Sequence, residues 1–338
     1  MSEAPRIAVL GAGSVGCFIG GAWAAAGLPV TFVGRPAIAK DVHEHGLKLS
    51  DNRGWTAKLA AVDFSCVPEP LSDADIILVT VKSGATADAA RDIAEHGRSG
   101  ALVISFQNGV SKVDILERAL GSRFRVARGL VPFNVAYLGH GHFHKGVAGE
   151  LLAEDRPEFR ALAERVQGGP AALRLSGDML DLAWGKLLIN LNNAVNALSG
   201  QPLLDELRQR DYRRVVAACQ REALKLYRRA GITPARVGPG LPLRLLPSVL
   251  DSPDWLFNRL FIKAWKIDDK ARSSMSDDLA HGRKTEIDHL NGELVRLAEG
   301  LGRDAPVNRR IIALVRAAED GAPPLSPAAL RRAALGGR

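Results

Sequence analysis

The most constraining stretch of the chain is Gly11-Ala-Gly13-Ser-Val-Gly16, which follows the apolar run Arg6-Ile-Ala-Val-Leu10 and leads into residues 14–26, whose pattern is helical. A strand that turns through three spaced glycines into a helix has few structural solutions. Gly11 permits the tight turn, Gly13 lets a phosphate approach the backbone with no Cβ in the way, and Gly16 lets the helix pack closely on the strand. The amides near Ser14 and Val15 then lie at the positive end of the helix dipole, a ready site for an anion. The reading is a dinucleotide-binding βαβ unit; the bland alternative is a glycine-rich turn without a ligand.

The surrounding pattern supports a parallel sheet. Residues 29–33 form a second apolar run, and residues 75–81 and 101–106 are continuous rather than alternating, as expected of strands covered by helices on both faces. Residues 125–154, rich in glycine and histidine, predict antiparallel strands and loops, followed by a helix over 157–166 and a strand over 171–175. From residue 179 the pattern becomes helical, over 179–198, 205–230, 254–267, 277–301 and 307–319, with breaks at Gly200-Gln-Pro202, Gly231-Ile-Thr-Pro234 and 302–306. The expected fold class is α/β: an N-terminal Rossmann dinucleotide-binding domain over 1–177, an all-helical substrate and catalytic domain over 178–322, and a peripheral basic tail over 323–338.

Composition narrows the function. The 45 Lys and Arg against 37 Asp and Glu give a net charge of +8, yet the basic residues of 207–229 are interleaved with Asp205, Glu206, Asp211 and Glu222. Such interleaving describes a solvated helix face rather than a nucleic-acid stripe. No apolar run is long enough for a membrane span, and the three cysteines, Cys17, Cys66 and Cys219, have neither disulfide-framework nor metal-ligand spacing. The expectation is a cytoplasmic protein with a small-molecule substrate; a homodimer is left open.

Cofactor preference is read about twenty residues past the glycine turn, where a carboxylate would select NAD. This chain has Val33-Gly34-Arg35 there. The arginine fork suits a 2′-phosphate, so the expected cofactor is NADP(H), the alternative being an ordinary surface arginine. On a helix over 179–198, Asn190 falls about 40° from Lys186 and Asn193 about 20° on its other side, so the three share one face. A lysine and two asparagines on an otherwise apolar helix need polar partners, either a ligand or a polar seam between domains.

Together the glycine turn, Thr80-Val-Lys82, Gln107-Asn-Gly109, Trp184-Gly-Lys186 and Ser273-Ser-Met-Ser-Asp-Asp278 leading to Thr285-Glu-Ile-Asp288 resemble the ketopantoate reductase (2-dehydropantoate 2-reductase) family over residues 6–306. The resemblance implies NADPH-dependent reduction of 2-dehydropantoate to (R)-pantoate, a step of pantothenate biosynthesis. It makes Lys186 the general acid, Asn190 a substrate ligand, Glu286 the active-site glutamate and Ser274 a substrate contact. By the same resemblance Lys82 contacts the cofactor and Asn108 bridges nicotinamide ribose and substrate, although Asn108-Gly109 also reads as a simple turn. The family's second helix asparagine falls eight residues after the lysine, where this chain has Ala194; helical angles favour Asn193 in its place. Glu286 lies beside the apolar stripe of Ile287, Leu290, Leu294 and Leu297, a place for a cleft carboxylate or for an ion-pair partner. Two other readings stay open: a reductase of another branched 2-oxo acid, and a non-catalytic NADP(H)-sensing protein.

His140, His142 and His144 alternate, so a strand would put all three on one face. No carboxylate or cysteine stands beside them in a ligand pattern, and hydride transfer needs no metal. The reading assigns no metal.

Overall fold

Strand β1 (Ile7–Leu10) is buried along its whole length, between β2 (Val30–Val33) and β6 (Ile76–Val79), both parallel to it. Successive side chains of a strand point to opposite faces. Ile7 and Val9 accordingly join one apolar cluster with Phe18, Trp23 and Phe32, while Ala8 and Leu10 join another with Ile77, Val79 and Val103. The computed structural model describes residues 4–238, 240–262 and 271–336. It divides into two units, one through Leu180 and one from Asp181 onward.

The first unit is built on an eight-stranded sheet in which β5 (Asp63–Ser65), β7 (Leu102–Ser105), β8 (Arg125–Leu130), β11 (Leu151–Glu154) and β12 (Leu173–Ser176) complete the order β12-β11-β8-β7-β6-β1-β2-β5. From β5 to β8 the pairing is parallel; β11 runs antiparallel to β8. The chain leaves β1 toward β2 and returns on the other side at β6, which makes the carboxyl end of β1 the switch point where open α/β sheets bind ligands. Four helices of this unit bear on the argument below or cover the sheet: α1 (Ser14–Ala25), α2 (Pro36–His45), α3 (Thr86–His96) and α4 (Lys112–Leu120), and α5 (Pro157–Arg165) follows β11. A second sheet has the order β4-β3-β10-β9, from β3 (Leu47–Asp51), β4 (Thr56–Leu59), β9 (Val135–Tyr137) and β10 (His142–Lys145). The 125–154 segment is therefore split, since β8 pairs parallel in the large sheet while β9 and β10 form an antiparallel pair in the small one. The histidine expectation is corrected too. His142 and His144 share a face of β10 and both meet Ser50 Oγ at 2.8 Å, but His140 lies in the preceding turn with φ +51°.

The unit from Asp181 is helical among its described residues, and three expected helices are interrupted. Residues 179–198 form α6 (Met179–Asn190) and α7 (Asn192–Ser199), parted at Leu191, whose backbone remains in the helical region. Residues 205–230 fall into α8 (Leu203–Leu207) and α9 (Arg210–Ala230). The 277–301 helix is replaced by a helix at Ser274–Ala280, a 3₁₀ turn at Ile287–His289 and a helix at Asn291–Gly300. Gly282, at φ +62°, ends the first of these, with Gly282 N donating to Leu279 O and Arg283 N to Asp278 O. That pair of bonds is a glycine-terminated helix stop, so Glu286 does not ride on a continuous helical stripe. Of the 254–267 helix, Asp254–Phe257 is α-helical and Asn258–Ile262 is a π-turn; residues 263–267 lie outside the described ones.

Two further expectations change. Arg213, within the segment read as a solvated face, is fully buried on α9 and donates to Leu207 O, Leu250 O, Ser252 O and Asp254 Oδ1 at 2.7–2.9 Å. Within the expected tail, the described residues 323–336 are not peripheral. The helix Pro327–Leu335 buries Leu330 and Ala334, Tyr212 Oη donates to Leu325 O at 2.7 Å, and Arg331 pairs with Asp211. No helix among the described residues is long and apolar enough to cross a membrane.

Candidate active site

The three glycines of the β1–α1 turn carry different burdens. Gly11 has φ +100°, and a Cβ there would lie 2.4 Å from Val81 N. A Cβ on Gly16 would meet Thr80 Oγ1 at 2.6 Å and Gly11 O at 2.7 Å, so helix and strand approach too closely for a side chain. Gly13 is unlike both: its φ is −98°, open to any residue, and its Cβ would find nothing nearer than 3.9 Å. Nothing in the protein demands glycine at 13, whereas an approaching pyrophosphate would. The first turn of α1 has no acidic residue and no side-chain cap, leaving the amides near Ser14 and Val15 to an anion. These residues fit a dinucleotide.

The strand-end loops beside this turn are tied to it and to one another. Thr80 Oγ1 donates to Gly11 O at 2.9 Å; Gln107 Nε2 donates to Val81 O at 3.1 Å and Thr86 Oγ1 at 2.9 Å; Ser83 Oγ donates to Asn108 O at 3.0 Å. Exposed Lys82 and half-buried Asn108 thus follow the carboxyl ends of β6 and β7, next to the glycine turn in strand order. Arg35 is exposed just beyond β2 and is the N-cap of α2, with Pro36 in its first turn. A guanidinium and a helix N-terminus coincide there, a combination suited to a phosphate. Thr80, Ser83 and Gln107 were given no separate role by sequence reading; their signal was polar side chains at the ends of otherwise apolar strands.

In the second unit, Lys186 stands half-buried on α6, where burial lowers its pKa to about 8 while the nearby Glu286 charge acts to raise it. Its neighbours explain how it is held. A Cβ on Gly185 would fall 1.8 Å from Ala235 O, and Ala235 N donates to Asp181 O at 2.9 Å. Trp184 meets Tyr227 edge-on at 5.2 Å, and Tyr227 Oη donates to the Trp184 carbonyl at 3.2 Å. Trp184 and Gly185 are packing residues that press α6 against its neighbours and fix the lysine's root.

Asn190 and Asn193 are half-buried, whereas Ala194 is fully buried. Ser274 is exposed at the start of its helix, and Ser273 beside it is buried. Ser273 Oγ donates to Asn193 O at 3.1 Å and caps the helix by accepting from Ser276 N; Ser273 N donates to Asn196 Oδ1 at 2.9 Å. Asn196 and Asn192 each donate to Glu206 Oε2 at 3.2 Å, and burial pushes the fully buried Glu206 carboxyl up to about 8 against those bonds. The structure therefore brings Lys186 near Glu286 and Asn193 beside Ser273–Ser274. Asn192, Asn196 and Glu206 form a buried support that the sequence reading missed.

A glycine turn fitted to a dinucleotide on a parallel sheet, joined in sequence to a helical unit bearing a lysine of lowered pKa near a carboxylate, points to a nicotinamide-dependent oxidoreductase as the class. Residues 7–157 match the family model for ketopantoate reductase PanE/ApbA, and residues 178–319 match the model for its C-terminal domain. The chain belongs to the ketopantoate reductase family. It is 27% identical over 326 residues to 2-dehydropantoate 2-reductase of Archaeoglobus fulgidus, covering 94% of this chain and 98% of that protein. It is similar to the crystal structure of a PanE/ApbA family ketopantoate reductase from Ralstonia eutropha, with TM-score 0.78, 31% identity, and coverage of 93% and 98% of the two chains. The ternary structure of a D-mandelate dehydrogenase with NADH and anilino(oxo)acetate shares the fold at TM-score 0.75 and 20% identity, over 93% of this chain and 98% of that one.

Proposed function

We propose that the protein reduces a 2-oxo acid with NADPH, 2-dehydropantoate being the leading substrate and (R)-pantoate its product. When bound, NADPH supplies the hydride. Gly11, Gly13, Ser14, Val15 and Gly16 would hold its pyrophosphate, Arg35 its 2′-phosphate, and Lys82 and Asn108 its nicotinamide half. The observation that carries the reading is the half-buried lysine of α6 with the Glu286 carboxylate nearby, where burial lowers its pKa to about 8. An acid whose pKa lies close to working pH is mostly protonated yet gives up its proton readily. Lys186 protonates the carbonyl oxygen as negative charge builds there, while Glu286 orients the ammonium or binds the nascent hydroxyl. Asn190, Asn193 and Ser274 bind the substrate, Ser274 taking its carboxylate.

A second reading within the same chemistry, another branched 2-oxo acid, is favoured by Ala194. It is fully buried where the family resemblance calls for an asparagine, so one polar substrate contact is lost or moved to Asn193. The proposed setting is cytoplasmic, in keeping with Cys17, Cys66 and Cys219 all being unpaired.

The test is NADPH oxidation by the purified protein against a panel of 2-oxo acids that includes ketopantoate, with Lys186→Ala in parallel. Turnover should be highest for one branched acid, and the variant should lose about two or more decades in kcat, about 3 kcal/mol of barrier, while NADPH binding survives. Tight NADPH binding with no oxidation by any acid would point instead to a sensing protein.

A further inference from the structure

The geometry points to a second site, outside the reductase chemistry: we propose that Asp41, His45 and His140 bind a divalent transition metal of the zinc class. Asp41 and His45 are four residues apart on one face of α2, in its C-terminal half, and His140 reaches them from the turn between β9 and β10. One ligand atom from each of the three lies within 4.8 Å of the others.

The decisive contact is between the two imidazoles. His45 Nε2 and His140 Nδ1 face each other at 3.2 Å. Two nitrogens bound to one tetrahedral zinc at about 2.0–2.1 Å stand about 3.3–3.4 Å apart, the edge of the tetrahedron. The pair is thus already spaced as two ligands. The far nitrogen of His45, Nδ1, lies 3.1 Å from the Asp41 backbone carbonyl. A metal-binding histidine commonly donates its other N–H to a backbone carbonyl or carboxylate, which fixes the tautomer and aims the remaining lone pair. Here that arrangement leaves His45 Nε2 directed at His140.

The carboxylate is prepared as well. Asp41 Oδ2 accepts from Tyr137 Oη and from Gly141 N, which fix the carboxylate's orientation. The turn carrying His140 is held firmly on the end of α2. A Cβ on Gly141 would lie 2.1 Å from Gly46 O, and Gly141 O accepts from Lys48 N at 2.8 Å. His140 itself is the only non-glycine at positive φ among the described residues, a conformation that its surroundings must impose. A cation at this spot would also sit at the carbonyl end of α2, where positive charge is favoured. Its consequence would be a clamp joining α2 to the small sheet. His142 and His144 take no part, being turned to Ser50.

The test is calorimetric titration of zinc chloride into the tag-free, chelator-stripped full chain. One site of micromolar strength is expected, with cobalt giving the intense visible bands of a tetrahedral ion. His140→Asn keeps a residue type that tolerates positive φ but removes the imidazole, and His45→Gln keeps the helix; each should weaken zinc tenfold or more. His43→Gln, an exposed neighbour on α2, should leave binding unchanged. Zinc should raise the Tm of the wild type and not that of the His45→Gln/His140→Asn double variant. Equal zinc binding by the wild type and a folded double variant, or no binding by either, would overturn the proposal and leave the two imidazoles as a hydrogen-bonded pair.

Discussion

The pH profile of turnover gives the sharpest test of the catalytic assignment, because Lys186 and Glu286 enter it with opposite signs. Burial drives the lysine down from 10.5 to about 8, and the Glu286 charge limits that fall. In the proposed role of general acid the protonated lysine is the active form, so kcat/KM should hold below the pKa and fall as pH rises through it. A group with pKa about 8 is about nine-tenths protonated at pH 7 and about one-tenth at pH 9, so kcat/KM, which follows the free enzyme, should drop about tenfold across that interval. Glu286→Gln removes the charge that favours the ammonium. The descending limb should therefore move to lower pH, and at pH 8 the variant should lose more activity than at pH 6. Steady-state NADPH oxidation from pH 6 to pH 10, repeated with deuterated NADPH to confirm that hydride transfer limits the rate, measures both profiles. A limb that stays near the ordinary lysine value, or one that moves to higher pH in Glu286→Gln, would refute the reasoning.

Three other expectations follow from the same structure. Gly13→Ala should leave stability within about 0.5 kcal/mol of wild type but weaken NADPH at least tenfold, whereas Gly11→Ala, at φ +100° and 2.4 Å from Val81 N, should cost about 1–3 kcal/mol by denaturant unfolding. Gly185→Ala places a Cβ 1.8 Å from Ala235 O and should destabilise the helical unit by about 1–3 kcal/mol or more, read from its unfolding transition. Arg35→Ala should weaken NADPH by about tenfold or more, the worth of a charge-assisted phosphate contact, and NADH by less than twofold. Equal losses for the two cofactors would remove the 2′-phosphate from Arg35.

The dinucleotide half was legible because its signals are local. Burial on both faces makes β1, β6 and β7 continuous apolar runs, and the glycine turn follows directly in sequence. The short strands β3, β4 and β5 were not read: β5 pairs at a sheet edge with β2, about thirty residues earlier, while Leu47–Asp51 and Thr56–Leu59 form a local hairpin whose turn signal, Asn52-Arg-Gly54, was passed over because neither strand is strongly apolar. In the helical half, periodicity located the helices but ran across their interruptions. Gly282 was a readable stop signal; Leu191 was not, because its backbone stays helical and only the hydrogen-bond pattern changes. The candidate site residues were read as single letters in motifs. Their supports, Asn196 with Glu206 and Gln107 with Thr86, join positions 10 to 21 residues apart through buried polar contacts, which no periodicity encodes.

The ties that join Thr80 to Gly11, Gln107 to Val81 and Ser83 to Asn108 give the mouth of the parallel sheet the character of a mould rather than a hand. Its torsions are settled during folding by the chain's own hydroxyls and amides, so a dinucleotide entering there forfeits little loop entropy. A cofactor analogue that demands a wider opening at this end of the sheet should accordingly bind more weakly, while the choice over a 2′-phosphate is left to Arg35 beyond it.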